Sequence, residues 1–237
     1  MIIHSISGPR NISTALMYSF AQRTDIIPLD EPFYASYLNV NPDLSHPGRE
    51  DILKSQSTDP ATVAERITQL NQDGKHVYVK DMAHHFADMN LPPLPESKAI
   101  FLVRDPAKLI ASFQKVIPLP SLKDIGLEEE WKLFQQYKNA DLPAFVIPTE
   151  RLAENPRESL NTLCEALDIP MDDKMLSWSA GPKAYDGCWA QYWYSNAHKS
   201  TGFTPFQSNY SQLNSHGEEL LERALPYYQS LLENSLL

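Results

Sequence analysis

The stretch Met1-Ile-Ile-His-Ser-Ile-Ser-Gly-Pro-Arg-Asn-Ile-Ser-Thr-Ala-Leu-Met17 reads as a short apolar strand, a tight loop at Gly8-Pro9 and the first turns of a helix. A loop that carries a strand into a helix N-terminus turns several backbone N–H groups toward one point, where the helix dipole also favours negative charge. In this loop Arg10 can complement a phosphate or sulfonate, and Ser13 and Thr14 place hydroxyls at the helix start. The opening of the chain therefore predicts an anion cradle set on an α/β fold.

Outward from that unit, strand-like apolar runs at 2–7, 26–29, 76–80, 99–103 and 144–147 alternate with helical patterns at 13–23, 60–72, 106–115, 128–139 and 156–167. Asp59-Pro60 and Asp105-Pro106 each have the form of an N-cap followed by proline at the first helical position. A last helix over 216–233 carries leucines at helical spacing for packing on the core. This alternation predicts a parallel β-sheet flanked by helices, a three-layer architecture like that of P-loop NTPases, in one domain over 1–237. The polar stretch 39–60 interrupts the rhythm and reads as a surface insertion or lid, and the proline-containing segments 91–95 and 117–120 read as local turns.

Composition excludes several classes of function. With 237 residues and a formal charge of −10, the chain can bury a sizeable core but lacks the surplus of Lys and Arg that nucleic-acid binding draws on. No apolar run approaches the roughly 20 residues that span a bilayer, so no membrane partner is expected. The N-terminus lacks the pattern of a signal peptide, which makes the cytoplasm the expected compartment. Cys164 and Cys188 form no CxxC, and His84-His85 and His198 have no metal-ligand spacing, so no metal site is expected.

A second anion site is suggested by Ala99-Ile-Phe-Leu-Val-Arg-Asp-Pro-Ala-Lys-Leu-Ile-Ala-Ser-Phe113. Arg104 ends a strand, and Ser112 lies eight residues on along the following helix, so a cationic fork and a hydroxyl can meet one phosphate. The first loop, for its part, lacks the second glycine and the lysine of an NTPase P-loop.

Together the two motifs resemble the donor-binding motifs of the PAPS-dependent sulfotransferase family, in the same order. Residues 8–14 resemble the 5′-phosphosulfate loop and residues 104–112 the 3′-phosphate motif, and 148–170 resembles the strand-to-helix region that follows in that family. The resemblance implies PAPS (3′-phosphoadenosine-5′-phosphosulfate) as co-substrate. Arg10, Ser13 and Thr14, with the loop backbone at Asn11 and Ile12, would contact the 5′ end, and Arg104 and Ser112 the 3′-phosphate. Arg10 stands where many members have Lys. In the late segment, Lys199, Ser200 and Gly202 loosely resemble the basic, Gly-containing stretch that closes over the donor's 3′-phosphate.

Sulfuryl transfer to a hydroxyl or amine also needs a proton acceptor. Asp30-Glu31-Pro32 resembles the Glu-Pro segment of carbohydrate-type sulfotransferases, which makes Glu31 one candidate. Val77-Tyr-Val-Lys-Asp-Met-Ala-His-His85 loosely resembles the Lys-Thr-His segment of cytosolic members, with Asp81 in place of the Thr, which makes His84 or His85 the other. Lys80 at the strand end would stabilise the leaving phosphate, and the aromatic stretch 178–206 would line an acceptor pocket or stack on adenine. The expected function is sulfuryl transfer from PAPS to a small-molecule acceptor. A divergent P-loop kinase or nucleotide hydrolase, or a non-catalytic nucleotide-binding protein, is the alternative.

Overall fold

A computed structural model describes residues 1–44, 46–71, 74–89, 91, 93–114, 119–206 and 212–237. Residues 72 and 115, where two helices are expected to end, and parts of the 39–60, 91–95 and 117–120 segments lie outside them. In chain order the elements are β1 (Ile2–Ser7), α1 (Ser13–Phe20), β2 (Ile26–Asp30), α2 (Tyr34–Val40), α3 (Arg49–Ser55), α4 (Pro60–Asn71), β3 (His76–Met82), β4 (Ser97–Val103), α5 (Pro106–Phe113) and α6 (Leu122–Ile125). They continue with α7 (Leu127–Asn139), β5 (Ala144–Pro148), α8 (Thr149–Glu154), α9 (Pro156–Leu167), α10 (Ala190–Trp193) and α11 (Ser215–Leu232).

The strands form one parallel sheet in the order β2-β3-β1-β4-β5. Every residue of β1 is buried, as expected for a central parallel strand covered on both faces. Ile3, Tyr78, Ile100, Leu102 and Ile147 face α1, α8 and α9. Ile6, Ala99, Phe101, Val103 and Val146 face α5, α7 and α11, while Ile2, Val77 and Val79 meet α2 and α4. This is the expected three-layer arrangement, and all five expected strands are present.

Two of the boundaries that differ from expectation follow from backbone hydrogen bonding. β3 continues past the expected end at Lys80 through Asp81 and Met82, because both pair with β1 (Ile6↔Asp81, Ser7↔Met82). α1 ends at Phe20 rather than at 23, because Gln22 and Arg23 tighten onto the carbonyls of Ser19 and Phe20. Arg23 is then held by Asp25, with Nη2 to Oδ2 at 2.7 Å, and by the carbonyl of Pro170.

Within 39–60, Arg49 donates to the carbonyls of Leu38 at 2.7 Å and Asn41 at 3.0 Å, closing the end of α2, and Ile52 is fully buried. The connections leaving β1 and β4 run to opposite sides of the sheet. Their C-terminal ends thus form the crevice in which open α/β sheets bind ligands.

At that crevice the turn between α6 and α7 presses on the β1 exit. A Cβ on Gly8 would collide with the carbonyl oxygen of Ile125, and a Cβ on Gly126 would come within 3.1 Å of the Gly8 Cα. Gly8→Ala is expected to destabilise the protein by about 1–3 kcal/mol, the usual cost of overpacking a close contact, read as a lower urea midpoint. Wild-type stability in this variant would refute the close approach.

Candidate active site

The β1–α1 loop departs from ordinary backbone geometry at two non-glycine positions, Arg10 (φ 65°) and Ile12 (φ 51°). A left-handed residue followed by a helical one, as at Ile12-Ser13, turns successive N–H groups into a concavity that suits an anion. No side chain caps the α1 N-terminus, which leaves its first-turn amides facing that concavity. Asn11 holds the loop to the sheet: its side-chain amide donates to the Leu102 carbonyl at 3.0 Å, so only its backbone is available to a ligand. Ser13 is buried and Thr14 half-buried on the first turn.

The second motif meets this loop. Asp105 caps α5 by accepting from the amides of Ala107 at 2.9 Å and Lys108 at 3.3 Å, and this places Arg104 at the turn where β4 ends. Arg104 is buried, its Nη1 donates to the Arg10 carbonyl at 2.8 Å, and its guanidinium stacks 3.9 Å from the centre of the Phe206 ring. The Arg10 side chain reaches Ser112, Nε to Oγ at 3.3 Å. Burial and, to a lesser degree, the neighbouring Arg104 lower the pKa of Arg10.

Glu31 occupies the other side of the sheet edge, also in a left-handed conformation (φ 44°). Its N–H donates to the Lys80 carbonyl at 2.7 Å, and its own carbonyl accepts from Gln56 at 3.0 Å and from the Tyr34 amide at 3.0 Å. These bonds hold the strained backbone in place. The Lys80 ammonium bonds Asp30 Oδ1 at 3.0 Å, Tyr194 Oη at 2.7 Å and Glu31 Oε1. Lys80 therefore lies not at an open strand end but inside a buried cluster of two carboxyls and a phenol.

In that cluster burial lowers the Lys80 pKa, but Asp30 and Glu31 more than offset this, so the group stays cationic. Burial pushes the Glu31 carboxyl up to about 7, against the pull of Lys80 and with a further push from Asp30. The second Glu31 oxygen faces His85, with Nε2 3.8 Å from Oε2. The His85 ring lies against both Tyr34 and Tyr37, with ring centres 4.3 and 4.7 Å away, and burial lowers its pKa well below the usual range. His84 packs edge-on to His85 at 4.7 Å, and burial lowers its pKa to about 4. Glu31 and the histidine pair, alternatives in the sequence, are thus neighbours in one site.

The late segment is positioned mainly by its own chain. The Ser200 hydroxyl accepts from Trp178 Nε1 at 3.0 Å and donates to the Ala197 carbonyl at 2.7 Å, Gly202 bridges Ser177, and Lys199 is exposed. Phe206, a few residues on, is what connects this stretch to Arg104.

A family model described as a sulfotransferase domain matches residues 1–234. The chain belongs to the sulfotransferase family. Two proteins of Arabidopsis thaliana, branched-chain-amino-acid aminotransferase-like proteins 1 and 2, are each 36% identical to it over 235 residues. That alignment covers 97% of this chain and 41% of each relative, so the sulfotransferase chain spans about two-fifths of the length of the curated relatives it matches.

Among solved structures, the sulfotransferase domain of the Synechococcus PCC 7002 olefin synthase superposes with a TM-score of 0.53 at 16% identity, covering 94% of this chain and 93% of that one. The sulfotransferase domain from the curacin biosynthetic pathway gives 0.52 at 18% identity, covering 94% and 96%. A sulfotransferase from Alicyclobacillus acidocaldarius gives 0.50 at 16% identity, covering 98% and 96%. At these identities the likeness is one of fold.

Four residues of the candidate site were not singled out individually in the sequence: Asp30, Tyr194, Phe206 and Glu130. Asp30 lies beside the expected Glu31, and Tyr194 is one ring in a crowded aromatic segment, so nothing local marks either. Glu130 did leave a signal. In Leu127-Glu-Glu-Glu130-Trp-Lys-Leu-Phe134, it is the glutamate that shares a helical stripe with Leu127, Leu133 and Phe134.

Lys80→Met would leave Asp30 and Glu31 buried without their cation. It is expected to cost about 3–5 kcal/mol, as for removing one partner of a buried ion pair, measured by urea denaturation. A loss under about 1 kcal/mol, typical of exposed pairs, would show that the cluster is solvated.

Proposed function

We propose that this sulfotransferase domain moves a sulfuryl group from PAPS to a hydroxyl or amine of a small-molecule acceptor. The observation that carries the reading is the meeting of the two motifs: Arg10 reaches Ser112 at 3.3 Å, and Arg104 bonds the Arg10 carbonyl at 2.8 Å across 94 positions of sequence. Two guanidiniums, a hydroxyl and an uncapped helix N-terminus at one crevice suit a ligand that carries phosphate at both ends of a ribose.

In this reading Arg10, Ser13, Thr14 and the backbone of Asn11 and Ile12 hold the donor's 5′ end, and Arg104 and Ser112 its 3′-phosphate. Lys199, Ser200 and Gly202 flank the 3′ side, next to the Phe206 stack. The bound donor supplies the sulfuryl group and a phosphate leaving group.

Glu31 accepts the acceptor's proton. A carboxyl that titrates near 7 is matched to proton transfer at neutral pH, whereas His84, neutral down to about pH 4, is a much weaker base. Lys80 and Tyr194 orient the Glu31 carboxyl, and neutral His85 packs against its free oxygen. The 39–60 segment, through Gln56, and the 178–206 segment, through Tyr194, frame the acceptor side.

Thermal shift with adenosine 3′,5′-bisphosphate, ATP and ADP, with and without magnesium, tests the donor assignment. The bisphosphate should stabilise the protein without metal, and Arg104→Ala should weaken its binding about 10- to 100-fold, the worth of a charge-assisted hydrogen bond. Equal stabilisation by ADP, unaffected by Arg104→Ala, would overturn the reading.

The base is tested by a pH–rate profile. Because Glu31 must be ionised to accept a proton, kcat should rise with pH up to about 7 and then level. Glu31→Gln should remove that rising limb and lower kcat by roughly 10²–10⁴. A rising limb that survives in Glu31→Gln would move the role elsewhere.

A further inference from the structure

Glu130 is fully buried on α7 although it stands in the first turn beside two glutamates, 128 and 129, that pair with Lys132 at the surface. Its Oε1 accepts the backbone amide of Gly8, and its Oε2 has no hydrogen-bond partner among the described residues. Burying a carboxyl with so little compensation is costly. The apolar stripe of α7, with Leu127 and Phe134 in the core, would be better packed by leucine at this position. The cost is borne for a single contact, and that contact is the first residue of the β1–α1 loop.

The surroundings leave the loop little other support at this point. Gly8 meets the α6–α7 turn backbone to backbone at Ile125 and Gly126, and the Glu130 amide donates to the Gly126 carbonyl at 2.9 Å, so the carboxyl folds over that turn onto Gly8. Pro9 has no N–H. The anion-facing amides therefore begin at Arg10, and the geometry of the left-handed residues 10 and 12 is set from one end by the Gly8–Glu130 bond and from the other by the Asn11 bond to Leu102.

We infer that Glu130 is the positioning residue of the donor loop: its buried carboxyl withdraws the Gly8 amide from the ligand and aims the amides of residues 10–14 at the donor's 5′ end. Burial raises the Glu130 pKa well above the usual range, the Gly8 amide pulling the other way, which favours the uncharged carboxyl beside an anion-binding loop. The inference rests on the PAPS reading and concerns only the 5′ side of the donor.

Calorimetric titration of adenosine 3′,5′-bisphosphate and of adenosine 3′-monophosphate separates the two sides. The wild-type protein should prefer the bisphosphate. Glu130→Met, which keeps the length but accepts no hydrogen bond of this kind, should weaken the bisphosphate by about tenfold and leave the monophosphate within about threefold. Glu130→Gln, whose carbonyl can still take the Gly8 amide, should bind both like the wild type. If Glu130→Met does not fold, Glu130→Asp, which draws the acid back by one methylene, should show the same selective loss.

Equal weakening of both nucleotides, or of neither, would overturn the positioning role, as would a Glu130→Gln variant as impaired as the others. Equal affinity of the wild-type protein for the two nucleotides would overturn the donor reading itself, and this inference with it.

Discussion

The parallel pairing of β1 between β3 and β4 is the constraint on which the rest of the structure depends. Ser7, the last residue of β1, is level with Met82 on one side and Leu102 on the other, so the exits of three strands open on one edge of the sheet. That register puts the β1–α1 loop between Arg104 and the turn that carries His84 and His85. It also brings Lys80 beside Asp30 on the next strand, whose continuation is Glu31. Because β1, β3 and β4 are buried along nearly their whole length, a slip of one residue would exchange the two core faces, and apolar packing therefore enforces the register that aligns the polar groups.

Charge is distributed unevenly along that edge. On the β4 side the Arg104 guanidinium bonds the Arg10 carbonyl and stacks on the Phe206 ring, while the Arg10 side chain reaches the Ser112 hydroxyl. On the β2 side a single ammonium is shared by two carboxyls and a phenol. The Lys80 cluster departs from the rule that buried charges come in balanced pairs. Such a departure belongs where a proton completes the balance, here on a titrating carboxyl. The left-handed backbone at Arg10, Ile12 and Glu31 marks the same two places.

Strand and helix positions were legible because they are set by local periodicity and by caps such as Asp105-Pro106. Arg104 and Ser112 were legible as a pair because one strand end and one helix hold them at a fixed spacing. Asp81 and Met82 were missed as strand because their pairing with β1 is non-local. Glu130 was readable only as an acid on an apolar stripe, with no sign of what it would meet.

The sequence by itself determined the three-layer architecture, the family and the composition of the two anion motifs, since each follows from residues near one another in the chain. Only the tertiary structure decided which side chains share a site. It joined Arg10 to Ser112, enclosed Lys80 with Asp30, Glu31 and Tyr194, set Glu31 against His85, and laid Glu130 on Gly8. These contacts span 49 to 122 positions of sequence. Their physical cause is the sheet register and the packing of helices on its faces, which no local pattern of residues encodes.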